Sequence, residues 1–184
     1  MLSRPDVLRR TGGRAVAEII YDEATIAAKV KELGAAITAH YTEGELVVLG
    51  LLKGSFIFLG DLVRQIERPL QVDFLVASSY GVGTVSSGEV RLLYDPRTQL
   101  EGKHILLVED IIDSGVTLER LLTLLGSRSP RSLAVCALLD KGLVKEPRPE
   151  MRFVGFRAPL KFLVGYGLDH AEEFRHLPYI VNMG

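Results

Sequence analysis

Behind Asp22 and Glu23, the apolar residues Ile26, Val30, Leu33 and Ile37 recur at helical spacing. That pattern predicts an amphipathic helix opening at the acidic pair, whose charges suit the free N–H groups and dipole of a helix N-terminus. The character then changes. Leu46 to Leu52 is short and almost wholly apolar, as expected of a strand covered on both faces. Gly54 opens a predicted helix through Phe58, Leu62 and Ile66, ended by Pro69. Residues 72–77 and 105–108 read as further strands. Leu118, Leu121, Leu122 and Leu125 mark a helix stopping near Gly126, and residues 133–139 form another apolar run.

Strand and helix in turn, with strands that look buried, predict an α/β fold: a mostly parallel twisted sheet flanked by helices. In such folds ligands gather at the carboxyl ends of the strands, so the residues just after each apolar run are the ones to search. Residues 78–88 are polar and glycine-rich, too long for a tight hairpin and typical of a binding loop or lid. The last forty residues lose the alternation and are expected to form a small C-terminal hood, about residues 142–184, packed over the sheet edge. Residues 1–14 carry four arginines and no apolar stretch after them. They read as a flexible extension of a single domain over 15–184, and not as a secretory signal.

Composition narrows the function classes. The chain of 184 residues is 47% hydrophobic and 24% charged, which fits one folded domain. A formal net charge of −1 gives no global reason to expect nucleic acid as a partner. No apolar run approaches the roughly 20 residues that span a bilayer, so no membrane is expected. The lone Cys136 sits within an apolar run and reads as a buried structural thiol in a cytoplasmic protein.

The most informative stretch is Val108-Glu109-Asp110-Ile111-Ile112-Asp113-Ser114-Gly115-Val116-Thr117-Leu118. An apolar strand ends in two carboxylates, a third follows, and a Ser-Gly-x-Thr turn opens a helix. Any one Asp or Ser before a helix is usually an N-cap. Three carboxylates directly after a buried strand repel one another unless a cation or a hydroxyl-rich ligand relieves them. The turn offers backbone N–H groups and two hydroxyls to a phosphate, and the acidic pair can accept from vicinal sugar hydroxyls. Together they describe a cradle for ribose 5-phosphate.

This run resembles the phosphoribosyl pyrophosphate-binding motif of the type I phosphoribosyltransferases, and its Ile111-Ile112-Asp113-Ser114-Gly115 form looks like the hypoxanthine-guanine branch. The resemblance extends from about Ile19 to Ile180 through several motifs in order. It implies a Mg2+-dependent transfer of phosphoribosyl to a purine base, with the base and phosphoribosyl pyrophosphate as partners and a homodimer or homotetramer as assembly. Glu109 and Asp110 would bind the ribose hydroxyls, Asp113, Ser114, Gly115, Val116 and Thr117 the 5′-phosphate, and Asp113 would also act as general base at purine N7. Some relatives carry a lysine where Val116 stands, so any contact there would be through backbone.

The Leu51-Leu52-Lys53-Gly54-Ser55 turn is similar to the family's pyrophosphate loop, in which a non-proline cis peptide can occur. Lys53, Gly54, Ser79, Tyr80 and Arg175 would hold pyrophosphate, with Ser79 and Tyr80 beginning a loop that closes over the reacting centre and excludes water. Lys141 would donate to purine O6, Phe162 would stack on the base and Leu163 would meet its edge through backbone. Leu163 replaces the usual valine. Asp169 would lie beside the base as a magnesium-linked carboxylate, so Glu109, Asp110 and Asp169 are the candidate metal residues, holding a magnesium shared with substrate rather than caged by protein.

His40, His104, His170 and His176 show no metal-ligand spacing, and neither a dinucleotide fingerprint nor a GK[ST] phosphate loop is present. Two other readings stay open at this level. One is a phosphoribosyltransferase preferring xanthine or a pyrimidine. The other is a nucleotide-sensing, RNA-binding regulator on the same fold, which would need a basic surface patch.

Overall fold

The computed structural model describes residues 4–14, 16–79, 90–144 and 148–183. Six strands make the main sheet: β2 (Leu46–Leu52), β3 (Gln71–Ser79), β4 (Val90–Tyr94), β5 (His104–Ile112), β6 (Ser132–Asp140) and β7 (Met151–Arg157). Their order is β4-β3-β2-β5-β6-β7, all neighbours parallel except β4, which runs antiparallel to β3 at the edge. The mostly parallel sheet expected from the alternation is therefore present.

Helices cover both faces. α2 (Glu23–His40), capped by Asp22, which accepts from Thr25 N, and α3 (Phe56–Val63) lie on one side. There Ile26, Val30, Leu33, Ile37, Phe58 and Leu62 pack on Val48, Leu106, Val108 and Cys136. α4 (Val116–Gly126) lies on the other, with Leu118, Leu121 and Leu125 against Val47, Leu49, Ile105, Leu107 and Val135. Odd and even strand residues thus feed different cores, as the two-residue period of a strand requires. Cys136 is fully buried and burial pushes its thiol up, as befits a structural residue.

Sheet order reverses direction between β2 and β5: α3 leads outward to β3 and α4 leads the opposite way to β6. The crevice at such a reversal is where ligands of open α/β sheets bind. Here it lies between the Leu52-Lys53-Gly54 turn and the end of β5.

The structure departs from the apolar pattern at four places. The N-terminal segment contains helix α1 (Arg4–Arg10), whose Val7 is buried among Val164, Phe174, Leu177 and Tyr179. The His176 ring contacts Arg10 O at 3.1 Å, and Arg14 pairs with Glu173 at 2.5 Å. Apolar Val7 was too isolated among arginines to announce this. The hood also draws on both termini. Its sheet joins β1 (Glu18–Tyr21), β9 (Ile180–Asn182) and β8 (Leu163–Val164), while β7, expected in the hood, extends the main sheet. Finally, β5 runs past Val108 to Ile112, so Glu109 and Asp110 lie inside the strand. Ile66 falls beyond α3 yet is buried.

The hood docks through polar and aromatic contacts. Tyr21 stacks on Phe156 with ring centroids 4.2 Å apart and donates to Arg157 O at 2.8 Å. Tyr166 donates to Asp61 of α3 at 2.7 Å. No described helix is long and apolar enough to cross a membrane.

Candidate active site

Strand alternation sends Glu109 and Asp110 to opposite faces. Glu109 lines a cleft of about 190 Å³ together with Leu51, Asp113, Ser114, Gly115 and Thr117. Asp110 instead meets Gly54: a Cβ built on that glycine would lie 1.9 Å from Asp110 Oδ2, so no side chain fits there. Burial pushes the Glu109 carboxyl well above its ordinary range, and the charge of Asp110 adds to the effect. Asp110 is pushed up to about 6 by burial. Its own and Ile111's backbone N–H groups and the Arg175 guanidinium oppose that rise, whereas Asp169 adds to it.

After β5 the chain turns at Gly115, whose φ of +79° is the left-handed conformation that favours glycine. This turn aims the start of α4 at the cleft. No side chain caps the helix, so its first N–H groups are not claimed by a capping oxygen. Ser114 and Thr117 are exposed beside it, and Val116 presents only an exposed apolar side chain. A phosphate is the anion such an end accepts best.

Lys141 follows β6 and is tied to the end of β5 by its backbone N–H, which donates to Ile112 O at 3.0 Å. Its Nζ donates to Asp113 Oδ2 at 2.7 Å. The expected purine O6 donor and the expected N7 base therefore stand side by side.

Across the crevice, the Leu52–Lys53 peptide bond is cis. Lys53 Nζ lies 3.0 Å from Glu172 Oε1. Arg175 Nη2 lies 3.1 Å from Glu172 Oε2 and 2.8 Å from Asp169 Oδ1, and Nη1 donates to Gly167 O at 2.8 Å. Gly167 backs directly onto the Gly54 carbonyl, where a Cβ would come within 2.0 Å. That close approach presses the hood against the turn carrying Lys53.

Phe162 is 54% exposed, an unusual position for a phenylalanine, with its ring held edge-on by His170 at 5.3 Å between centroids. Leu163 has its side chain buried and its backbone in the β8–β9 ladder opposite Asn182. Ser79 closes β3, and Tyr80 lies outside the described residues. Among the described residues no group of three or more His, Cys, Asp or Glu converges on a metal position, so Glu109, Asp110 and Asp169 do not form a closed ligand set.

Two side chains at this site were not singled out from the sequence. Glu172 joins Lys53 to Arg175, and His170 props Phe162. Neither carries a local signal, since each acquires its partner only when the hood closes on the sheet.

Residues 16–171 match the family model described as Phosphoribosyl transferase domain. The hypoxanthine phosphoribosyltransferase of Salmonella typhimurium is 48% identical over 165 residues, covering 89% of this chain and 93% of that protein. The hypoxanthine-guanine phosphoribosyltransferase of Dictyostelium discoideum is 46% identical over 167 residues, with the same shares covered. The crystal structure of a hypoxanthine phosphoribosyltransferase from Staphylococcus aureus is similar with a TM-score of 0.87 at 41% identity, covering 92% of each chain.

Proposed function

The chain belongs to the phosphoribosyl transferase family, in its hypoxanthine-guanine branch. On that premise we propose how its residues carry out purine salvage, the transfer of phosphoribosyl from phosphoribosyl pyrophosphate to hypoxanthine or guanine. The 5′-phosphate sits at the Asp113–Thr117 turn, whose uncapped helix start supports the assignment. Glu109 from the cleft side of β5 and Asp110 from the side of Gly54 are the acceptors assigned to the ribose hydroxyls. Lys53, Gly54 and Arg175 take the pyrophosphate, joined by Ser79 and Tyr80. Lys141, Phe162, Leu163 and Asp169 surround the purine.

The observation that carries this reading is the Lys141–Asp113 pair at 2.7 Å, because a 6-oxopurine presents O6 and N7 on one edge. Lys141 donates to O6 and Asp113 accepts the proton at N7. N9 then attacks the anomeric carbon as the bond from that carbon to the pyrophosphate oxygen breaks, and the electron pair leaves with pyrophosphate. Positive charge develops on the ribose ring and negative charge on the leaving group, where Lys53 and Arg175 wait. The exposed Phe162 ring gives the base a stacking surface.

The donor set fits Mg2+. Glu109, Asp110 and Asp169 offer hard carboxylate oxygens, and Asp169 stands near enough to Asp110 for its charge to push the Asp110 carboxyl up. These three are the residues that would hold such an ion, and it would supply positive charge to offset the anionic diphosphate. Assembly as a homodimer or homotetramer in the cytoplasm belongs to the same proposal. The exposed Phe56, Val72, Phe74 and Leu93 offer apolar surface for it.

The test is pyrophosphate release from phosphoribosyl pyrophosphate with Mg2+, offering hypoxanthine, guanine, xanthine, adenine and uracil separately. Turnover with the first two, lost without Mg2+, is the expected result. Turnover confined to xanthine or uracil would overturn the base assignment. Silence with every base from folded protein would favour the nucleotide-sensing regulator.

A further inference from the structure

We propose that Glu172 is a built-in stand-in for pyrophosphate: its carboxylate spans Lys53 and Arg175 and must swing away before a diphosphate can bind. The inference rests on the assignment of Lys53 and Arg175 to the pyrophosphate above. One oxygen of Glu172 faces each cation, Oε1 to Lys53 Nζ at 3.0 Å and Oε2 to Arg175 Nη2 at 3.1 Å. A diphosphate held by the same two side chains would place anionic oxygens where these now lie.

The arrangement is poor as a structural tie. The side chains of Lys53 and Glu172 are 65% and 63% exposed, and ion pairs so open to water add little to stability. It is well made as a competitor. Ala171 and Glu172 both adopt left-handed backbone with φ of +53° and +67°, a conformation that non-glycine residues keep only when their surroundings impose it. The Glu172 N–H donates to Asp169 Oδ2 at 2.9 Å, fixing the backbone that presents the side chain. Its neighbour Glu173 points elsewhere, to Arg14 at 2.5 Å, so only one of the two adjacent glutamates serves the crevice.

A resident anion offsets the charge of Lys53 and Arg175 where they face each other. It also weakens the site for pyrophosphate, because binding exchanges one anion for another, and it gives the cations a partner again when the product departs. A diphosphate still wins because it carries more charge than one carboxylate.

The experiment uses the full chain with Glu172→Gln and the shorter Glu172→Asp, and Glu173→Gln as the neighbouring control. Inhibition by added pyrophosphate against phosphoribosyl pyrophosphate is measured alongside the KM for hypoxanthine. Both Glu172 variants should lower the pyrophosphate inhibition constant about 3- to 10-fold, leaving the hypoxanthine KM within about twofold; Glu173→Gln should change neither. An inhibition constant unchanged or raised in active Glu172→Gln and Glu172→Asp overturns the proposal. Calorimetric titration of the wild type and Lys53→Met with Mg2+ and pyrophosphate separates the two layers. If Lys53→Met binds pyrophosphate as tightly as wild type, the subsite assignment itself is wrong and the stand-in falls with it.

Discussion

Lys141 Nζ and Asp113 Oδ2 are 2.7 Å apart, joining the carboxyl ends of β6 and β5 by a charge-assisted hydrogen bond between residues 28 apart in sequence. Each holds the other in the position from which it would meet the purine edge. In the proposed mode of binding, an entering base would replace one strong contact by two, one to O6 and one at N7.

Asp113→Asn keeps the shape and a hydrogen bond to Lys141 but removes the proton acceptor. Turnover should fall about 10²- to 10⁴-fold, the usual worth of general-base catalysis, with little change in melting temperature. Steady-state kinetics with a thermal melt checks both. Near-wild-type turnover would remove Asp113 from the chemistry.

Lys141→Gln removes the charged donor while Phe162 still offers its ring. Loss of a hydrogen bond from a charged group should raise the KM for hypoxanthine about 10- to 100-fold and leave that for phosphoribosyl pyrophosphate nearly unchanged. Equal rises in both constants would mean that Lys141 supports the whole crevice and not the base alone.

Gly54→Ala would drive a methyl group into the Asp110 carboxylate, 1.9 Å away, with the Gly167 backbone against the other side of the turn. The turn has to move, at a cost of about 1–3 kcal/mol. Activity should fall more than stability, since the displaced parts include Asp110 and Lys53. Denaturant unfolding beside turnover tests this, and an active, equally stable variant would contradict the packing.

Asp110→Asn separates function from stability. The folded protein raises this carboxyl to about 6, chiefly by burial. A raised carboxyl makes the charged form a liability at neutral pH, and the penalty fades as pH falls through 6 towards the unfolded value of about 3.9. Measured without substrate, the variant should therefore be about 2–3 kcal/mol more stable than wild type at pH 7, with the gap about half as large near pH 5 and closed only below about pH 4, while turnover is largely lost. A less stable variant at pH 7 would show that Asp110 is a structural anchor.

Asp73 has the opposite sign. Burial works to raise its carboxyl, but hydrogen bonds from Thr98 N at 2.9 Å, Thr98 Oγ1 at 2.8 Å and Phe74 N at 2.8 Å outweigh it, and the net direction is down. Its contribution is present above the unfolded value of about 3.9 and is lost as pH falls through the lower folded value. Asp73→Ala should cost about 1–3 kcal/mol at pH 7 and progressively less below pH 4, measured by urea unfolding at several pH values.

The alternation of apolar runs determined the parallel sheet and both helical layers, because burial on two faces leaves a mark on every residue of a strand. The run from Glu109 to Thr117 marked one side of the crevice as the candidate for phosphate and ribose, since those groups sit next to one another in the chain. Even there the strand extends further than its apolar part, because backbone pairing with β6 continues through the carboxylates. Contacts across long stretches of chain were decided only by the tertiary structure. Val7 in the cluster with Phe174, the pairing of β1 with β9, Glu172 between Lys53 and Arg175, and His170 on Phe162 depend on how the hood meets the sheet. Hydrophobic periodicity records which side of an element is buried. It does not record which distant partner, arriving with the fold, does the burying.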